Sequence, residues 1–376
     1  MTADVTAPAM PDADDLRDLK ALACSIFDKL AAKALTVPQT ALQFDPSLWA
    51  TLAESGLTLL TASVSCGGSG AGFAEAAVVL SAAAESAAPV PLAENDLLAA
   101  WLLEVVGLDL PDGPLTSGSG QVSISPRDAG KVHVAGTLER VPWARNCEAV
   151  TVLGAGTDEH VVLLVPIAHC TVSEGHNLAH EPRDRVQFNL ELPRDSVVPV
   201  GDDVAREWLL RGALARTAQT CGAMERALAL TIDHASERIQ FGRPLGRFQA
   251  VQHLVTDAAG EVIAARAACE MAVRTSVQDG ITSPAGEFAV AIARSQSARA
   301  AGVVSRAAHQ VHGAIGFTLD HRLRHFTLRM LAWRDEFGGA REWERRVGDI
   351  ALTAGEDLWS LVSSGRPGPA RFRIDP

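Results

Sequence analysis

Residues 237–253 read ERIQFGRPLGRFQAVQH. A helix carrying Glu237 and Arg238 cannot run through this stretch, because Gly242 frees the backbone and Pro244 lacks an amide donor and clashes with the preceding turn. The spacing on either side shows what the turn joins. Upstream, Leu210, Leu214, Thr217, Cys221, Met224 and Leu228 recur on one face of a long helix that Asp202 and Asp203 can cap. Downstream, Val251, Leu254, Ala258, Val262 and Ala265 repeat that spacing, and Ser283-Pro284 opens a third helix ending near Gly313. Two more helical segments follow, and GRPGPARFRIDP (365–376) reads as a loop tail. A helical bundle is expected over residues 203–364.

Working back toward the start, the period changes. Between about residues 121 and 193, QVSIS, KVHVAGTLE, AVTVLG, HVVLLVPI and RVQFNLEL are short, β-branched and separated by Gly, Pro and Asp, which predicts a small antiparallel sheet. Residues 12–113 return to a helical pattern rich in Ala and Leu, with Asp45-Pro46 as cap and first turn ahead of LWATLAESGL and Gly56 as its stop. LLAAWLLEVVGLDL (97–110) is interrupted by Glu104 and Asp109 and is too short to cross a bilayer, so it reads as a buried helix. CGGSGAGF (66–73) fails the test of a phosphate loop. No strand precedes it, its glycines miss the G-x-G-x-x-G spacing and no Lys-Ser/Thr pair follows, leaving a turn before the helix FAEAAVVLSAAAES.

Composition narrows the class. A chain of 376 residues, 47% hydrophobic, suits two or three packed units. The net charge of −12 argues against nucleic acid as partner, since a phosphate backbone needs clustered Lys and Arg. Six scattered cysteines lack a CxxC or Cys/His ligand spacing, and His309, His312 and His325 show no metal spacing, so no metal is expected. The acidic start MTADVTAPAMPDADD lacks the basic and apolar regions of a secretory signal; a cytoplasmic location with no membrane span is expected.

Two motifs then carry a family resemblance. The Arg-x-x-Phe-Gly core at Arg238 to Gly242 and HQVHGAIGFT (309–318) resemble the two flavin-facing signatures of the acyl-CoA dehydrogenase family. The resemblance covers nearly the whole chain, with its motifs concentrated after Trp143. It implies an α+β, mostly α fold with an N-terminal helical domain (1–118), a middle antiparallel β domain (119–202), a C-terminal four-helix bundle (203–364) and the tail (365–376). It also implies FAD, a CoA thioester substrate, α,β-dehydrogenation and electron-transfer flavoprotein as acceptor. By the same resemblance Arg238 reaches the FAD diphosphate of a neighbouring subunit, Phe241 and Gln249 contact FAD, and Gln310 and Gly313 lie near its adenosine half. A forked guanidinium suits a pyrophosphate. Taken alone, Arg238 also reads as a helix-end arginine satisfying carbonyls, and Gln310 and Gly313 as an ordinary helix end. Trp143, in VPWAR (141–145), stands where the family sets a Trp against the flavin ring; cover for the ring and plain packing are both open.

The departures from the family are as informative. Counting without gaps from Gly316 places the usual catalytic Glu at Phe337, and the family's Glu-Gly-Thr run is replaced by Phe337, Gly338 and Gly339. The alternative base position on the long helix falls at or beside Gly212. Glu336 and Asp335 stand next to the expected site, either as a base after a one-residue shift or as a solvated or paired charge. The family's Tyr/Cys-x-Thr-Glu-Pro loop has no counterpart, Ala314 replaces a usual Gly, and Asp320 and His321 read as helix caps.

Contacts with a neighbour's cofactor are kept while those serving a subunit's own flavin are lost. The chain therefore resembles the non-base subunit of heteromeric (α2β2) bacterial acyl-CoA dehydrogenases, a likeness extended by Trp333, Trp343 and Trp359 in its last part. Members of that subgroup act on bulky acyl groups, including steroid-derived ones. Three readings stay open: a subunit supplying FAD contacts to a homologous partner that carries the Glu, a homomeric enzyme using Glu336, and a non-catalytic structural paralogue.

Overall fold

The computed structural model describes residues 10–30, 42–127, 130–156, 159–354 and 358–366. Most of the expected tail, from residue 367, lies outside them. The chain forms two compact units, each assembled from separated stretches: residues 26–72 with 88–212, and residues 1–25 with 73–87 and 213–376. These units do not follow the linear segments 1–118, 119–202 and 203–364.

The first unit holds helix α2 (Pro46–Glu54) and a seven-stranded sheet. Helix α1 (Ala13–Leu30) precedes them in the chain. Asp45 caps α2 as its sequence predicts, accepting from the Ser47 and Leu48 amides at 3.0 Å each, and Leu48, Trp49 and Leu52 form the buried face. The glycine-rich stretch is a turn. Its Gly67 sits at φ +82, and a Cβ on Gly68 would lie 2.1 Å from the Ala62 carbonyl oxygen, so close backbone approach rather than phosphate binding explains it.

After helix α3 (Phe73–Glu85), the chain runs through a π-helical stretch, Ala93–Ala100, into α4 (Trp101–Val106). This is the helix expected at 97–110, and its polar start is buried. Asn95 donates to the Thr58 carbonyl and accepts from the Leu115 amide, both at 2.7 Å. Asp96 accepts from the Thr61 amide at 2.9 Å and the Thr61 hydroxyl at 3.1 Å, tying the turn at 61–63 to the helix. Burial nonetheless raises the Asp96 pKa to about 6.

The strands are β1 (Leu115–Pro126), β2 (Lys131–Pro142), β3 (Ala149–Ala155), β4 (His160–Pro166), β5 (Cys170–Ser173), β6 (Arg183–Pro193) and β7 (Val197–Val200), in the order β5-β6-β2-β1-β3-β4-β7. The sheet is antiparallel, as expected, at every junction but one: β1 runs parallel to β3 from Leu115↔Ala149 to Gln121↔Ala155, then antiparallel to β2 from Val122↔Gly136. The reason is the short path of residues 143–148, which passes the start of β1 and enters β3 in β1's own direction. Changing partners midway bends β1, and glycine makes room for the bend. A Cβ on Gly120 would lie 2.9 Å from the Thr137 carbonyl oxygen. Val134, Leu138, Val150, Val152, Leu163 and Phe188 fill the core behind this sheet.

The second unit is helical, with α3, the part of α5 (Asp202–Glu237) from residue 213, α6 (Gln249–Asp279), α7 (Pro284–His312), α8 (Leu323–Trp333), α9 (Ala340–Ala354) and α10 (Leu358–Ser364). Ser283 caps α7, accepting from the Gly286 amide at 3.0 Å with Pro284 in the first turn. Along α7, Phe288, Val290, Ala293, Ala300 and Val304 are buried, and Phe288 joins Ile350 of α9 and Leu361 of α10 in one cluster. Helices α3 and α5 touch closely. A Cβ on Gly222 would lie 2.2 Å from the Ser81 carbonyl oxygen.

The Asp96 carboxyl binds its proton more tightly folded (about 6) than at its ordinary 3.8, so its contribution to stability is full below about pH 4 and is lost as pH rises through about 6. Asp96→Asn is expected to remove roughly 3 kcal/mol from the fall in stability between pH 4 and 7. Urea melts at both pH values measure this; an unchanged slope contradicts it.

Candidate functional site

The long helix α5 stops where Gly242 and Pro244 require. Beyond it, β8 (Ile239–Gln240) and β9 (Arg243–Pro244) pair as a tight hairpin, closed by the Leu245 amide donating to the Arg238 carbonyl at 2.9 Å. Its two central residues, Phe241 (φ +51) and Gly242 (φ +80), both adopt the left-handed conformation that suits a two-residue hairpin. Glycine does this freely; phenylalanine is strained there, by about 1 kcal/mol or more. The strained ring is also 91% exposed. Phe248 supports the hairpin from below, with the Arg243 guanidinium 4.1 Å from its ring centre and Phe241 edge-on at 6.1 Å. Arg238 and Gln249 are exposed at the two ends of this turn.

The second motif is brought to the same end of the bundle by a stack of imidazoles. His234 of α5 lies 4.4 Å from His312 of α7, which meets His321 at 4.8 Å, while His309 stacks on Phe317 at 4.3 Å. Burial lowers the pKa of all four histidines, which favours neutral rings that can pack. His321 also accepts from the Leu323 amide at 3.1 Å, the capping role its position suggests. Gln310 is exposed on the last turn of α7. Gly313 ends that helix at φ +63, ψ −144, and apart from its chain neighbours no atom of the described residues lies within 4 Å of where its Cβ would stand. Its backbone angle, rather than crowding within the chain, demands glycine. Ile239, Phe241, Ile315, Phe317 and Leu319 add exposed apolar surface among the polar groups at this end of the bundle.

Residues 333–339 lie elsewhere. They are held by Arg216, which precedes Arg238 on α5 by about 33 Å of helix rise. The buried Arg216 guanidinium donates from Nε to Glu336 Oε2 at 2.7 Å and from Nη1 to Gln219 at 2.6 Å, and stands 5.7 Å from the Phe337 ring centre. Arg294 of α7, also buried, donates to the Trp333 and Glu336 carbonyl oxygens at 2.6 and 2.5 Å. Burial pulls its pKa down to about 10 against the opposing charge of Glu336. Phe337 (φ +53) and Gly338 (φ +92) form a second left-handed Phe-Gly pair, pinned by the Trp343 indole donating to the Phe337 carbonyl at 3.0 Å. Glu336 is thus engaged by a guanidinium, while Asp335 is exposed.

Residues 14–108 match the acyl-CoA dehydrogenase N-terminal domain, and residues 201–349 the acyl-CoA dehydrogenase C-terminal domain. The chain is 30% identical over 331 residues to the acyl-CoA dehydrogenase FadE27 of Mycobacterium tuberculosis, covering 81% of this chain and 88% of that one. This chain belongs to the acyl-CoA dehydrogenase family. Over 317 residues it is also 29% identical to the acyl-CoA dehydrogenase IpdE2 of Mycolicibacterium smegmatis, covering 82% and 89% of the two chains. Among solved structures it is similar to a chain of the ChsE4-ChsE5 complex from Mycobacterium tuberculosis, with a TM-score of 0.82, 26% identity and coverage of 92% and 99%.

The cofactor of an acyl-CoA dehydrogenase is FAD, and the residues at the bundle end fit such a group. An exposed guanidinium, an exposed strained aromatic tip and open space beside Gly313 lie together there. Trp143 lies in the sheet unit, 3% exposed, edge-on to Phe44 at 6.4 Å, its amide donating to the Pro182 carbonyl at 3.3 Å. Among the described residues no cluster of three or more His, Cys, Asp or Glu is placed to hold a metal, and no helix is long and apolar enough to cross a membrane.

Arg216 and Arg294 went unnoticed in the sequence. The available signal was an arginine on each of two Ala-rich helices within otherwise apolar stretches, a pattern that marks a buried charge needing a partner. Glu336→Ala should cost roughly 3–5 kcal/mol, because it strands the Arg216 charge in a dry interior. Denaturant melts test this; a loss under about 1 kcal/mol, the level of an exposed pair, contradicts the pairing.

Proposed function

We propose that this chain is one subunit of a heteromeric FAD-dependent acyl-CoA dehydrogenase, supplying contacts to a flavin nucleotide held mainly by a homologous partner that carries the catalytic carboxylate. The observation that carries this reading is the contrast between two places on α5. At its end, Arg238 and the Phe241 tip are exposed; about 33 Å earlier, the segment that bears the family's base presents Phe337 and a carboxylate already held by Arg216.

When bound, FAD accepts the β-hydrogen of a CoA thioester as hydride. This chain's own groups bind and orient. Arg238 offers forked donors to the diphosphate, Phe241 and Gln249 contact the nucleotide, and Gln310 and Gly313 border its adenosine half. The α-proton goes to the partner, because Phe337 has no basic atom and the Glu336 carboxylate is already engaged by the Arg216 guanidinium. Similarity to a chain of a complex between two different proteins supports a heteromeric assembly, for which α2β2 is the proposed stoichiometry and electron-transfer flavoprotein the proposed acceptor.

Co-expression with a homologous Glu-bearing subunit tests the reading through flavin absorbance and native mass. The pair is expected to retain FAD and the single chain none. Arg238→Ala in the pair should weaken FAD retention roughly 10- to 100-fold, the loss of one charge-assisted contact of about 1.5–3 kcal/mol. Glu336→Gln should leave the pair's turnover largely intact. Full flavin occupancy of the chain alone, with turnover abolished by Glu336→Gln, overturns the proposal in favour of a homomeric enzyme.

A further inference from the structure

A cleft of about 850 Å³ opens in the helical unit between α1, α3, α5 and α6. Ala218, Cys221 and Glu225 line it from α5. At 100° per residue these lie roughly 140–200° around the helix from Arg216, on the face opposite the Glu336 contact. The cleft is therefore separate from both places described above, and none of the predicted FAD contacts lines it.

Its walls are aliphatic. Ala74, Ala77 and Val78 of α3 face Cys221 of α5 with Cys269 and Val273 of α6, and no aromatic ring takes part. The hydrogen bond between the two thiols, together with burial, holds Cys221 well above the ordinary thiol range, so it remains a neutral, apolar wall group. The alanines make the space, since each ends where a leucine would fill it. Size, aliphatic lining and a few polar groups are what a small-molecule pocket requires.

The rim is charged, and its four cations stand with four carboxylates, two lining it and two, Asp14 and Glu85, paired with Arg17 and Lys20. Arg17, Lys20, Arg266 and Arg274 line it against two carboxylates, Glu225 and Glu270. Both carboxylates are taken: Arg266 lies 3.0 Å from Glu225 and 3.1 Å from Glu270, and Lys20 lies 2.7 Å from Glu85 and 3.8 Å from Glu225. Arg17 has only Asp14, in an exposed pair of little worth. Arg274 is exposed and has no ion-pair partner among the described residues. The cation left without an ion pair among the described residues is therefore Arg274, at the mouth of an aliphatic hollow.

We propose that this cleft binds an aliphatic carboxylate, with its chain against Ala77, Val78 and Val273 and its head at Arg274 and Arg17. A cationic amphiphile of the same length meets like charge there, and a neutral one gains no ion pair. The site is independent of the flavin reading, whose failure would appear in flavin content and not in this cleft.

Isothermal titration calorimetry on the full chain with dodecanoate, dodecyltrimethylammonium and dodecanol, each below its aggregation limit, tests the site. Dodecanoate is expected to bind one per chain and about tenfold or more tighter than the ammonium compound. Ala77→Phe should abolish binding of all three by filling the cleft. Arg274→Glu should reverse the order of anion and cation while leaving dodecanol unchanged. Circular dichroism and thermal midpoints confirm that both variants fold. No dodecanoate binding to the folded chain, binding that survives Ala77→Phe, or an unaltered order in Arg274→Glu each overturn the proposal.

Discussion

A guanidinium buried in a helical bundle must find an anion or carbonyl oxygens, and two of them govern this structure. Arg216 takes the Glu336 carboxylate, and Arg294 takes the carbonyl oxygens of Trp333 and Glu336 at the end of α8. Together they fix the backbone entering the left-handed pair Phe337 and Gly338, a conformation that phenylalanine adopts only when its surroundings impose it. Desolvating these charges is expensive, and Arg294 keeps Nε and Nη1 buried without a hydrogen-bond partner among the described residues. The helices α5, α7 and α8 are thereby committed to one arrangement around residues 333–339.

On the proposed reading, that commitment falls on the segment expected to hold the family's base, where the Glu336 carboxylate is already engaged by a guanidinium and its neighbour Phe337 is a hydrocarbon ring. The far end of α5 shows the reverse choice. There the hairpin keeps Arg238 exposed and presents Phe241 to solvent, an arrangement that contributes nothing to the stability of the single chain and costs strain. Stability is concentrated at one place and contact surface at the other, which is how a subunit that completes another's site would be built.

Much of this was legible in the sequence where local chemistry decides. Asp45-Pro46 and Ser283-Pro284 opened helices where their capping chemistry requires, and Gly242 with Pro244 ended α5. The first half of β1 was missed because LTSGSG carries a single β-branched residue, Thr116, among small and glycine residues; its strand state comes from β3 alongside, and its glycines serve the packing of Leu138 and Val141. Strands β5 and β7, four residues each, are too short to show a period. At the site, the motif residues were readable from their pattern, whereas the partners of Glu336 were not. Arg216 and Arg294 meet it only through long-range packing, and no spacing rule encodes a contact across 120 residues.

The exposed apolar surface at the hairpin end of the bundle carries a further consequence for how the polypeptide behaves outside its assembly. Ile239, Phe241, Ile315, Phe317 and Leu319 expose half or more of their area there, and a surface of this kind attracts copies of itself as readily as its proper match. If the proposed partner covers this surface, matched synthesis of the two polypeptides becomes a matter of solubility as well as of chemistry.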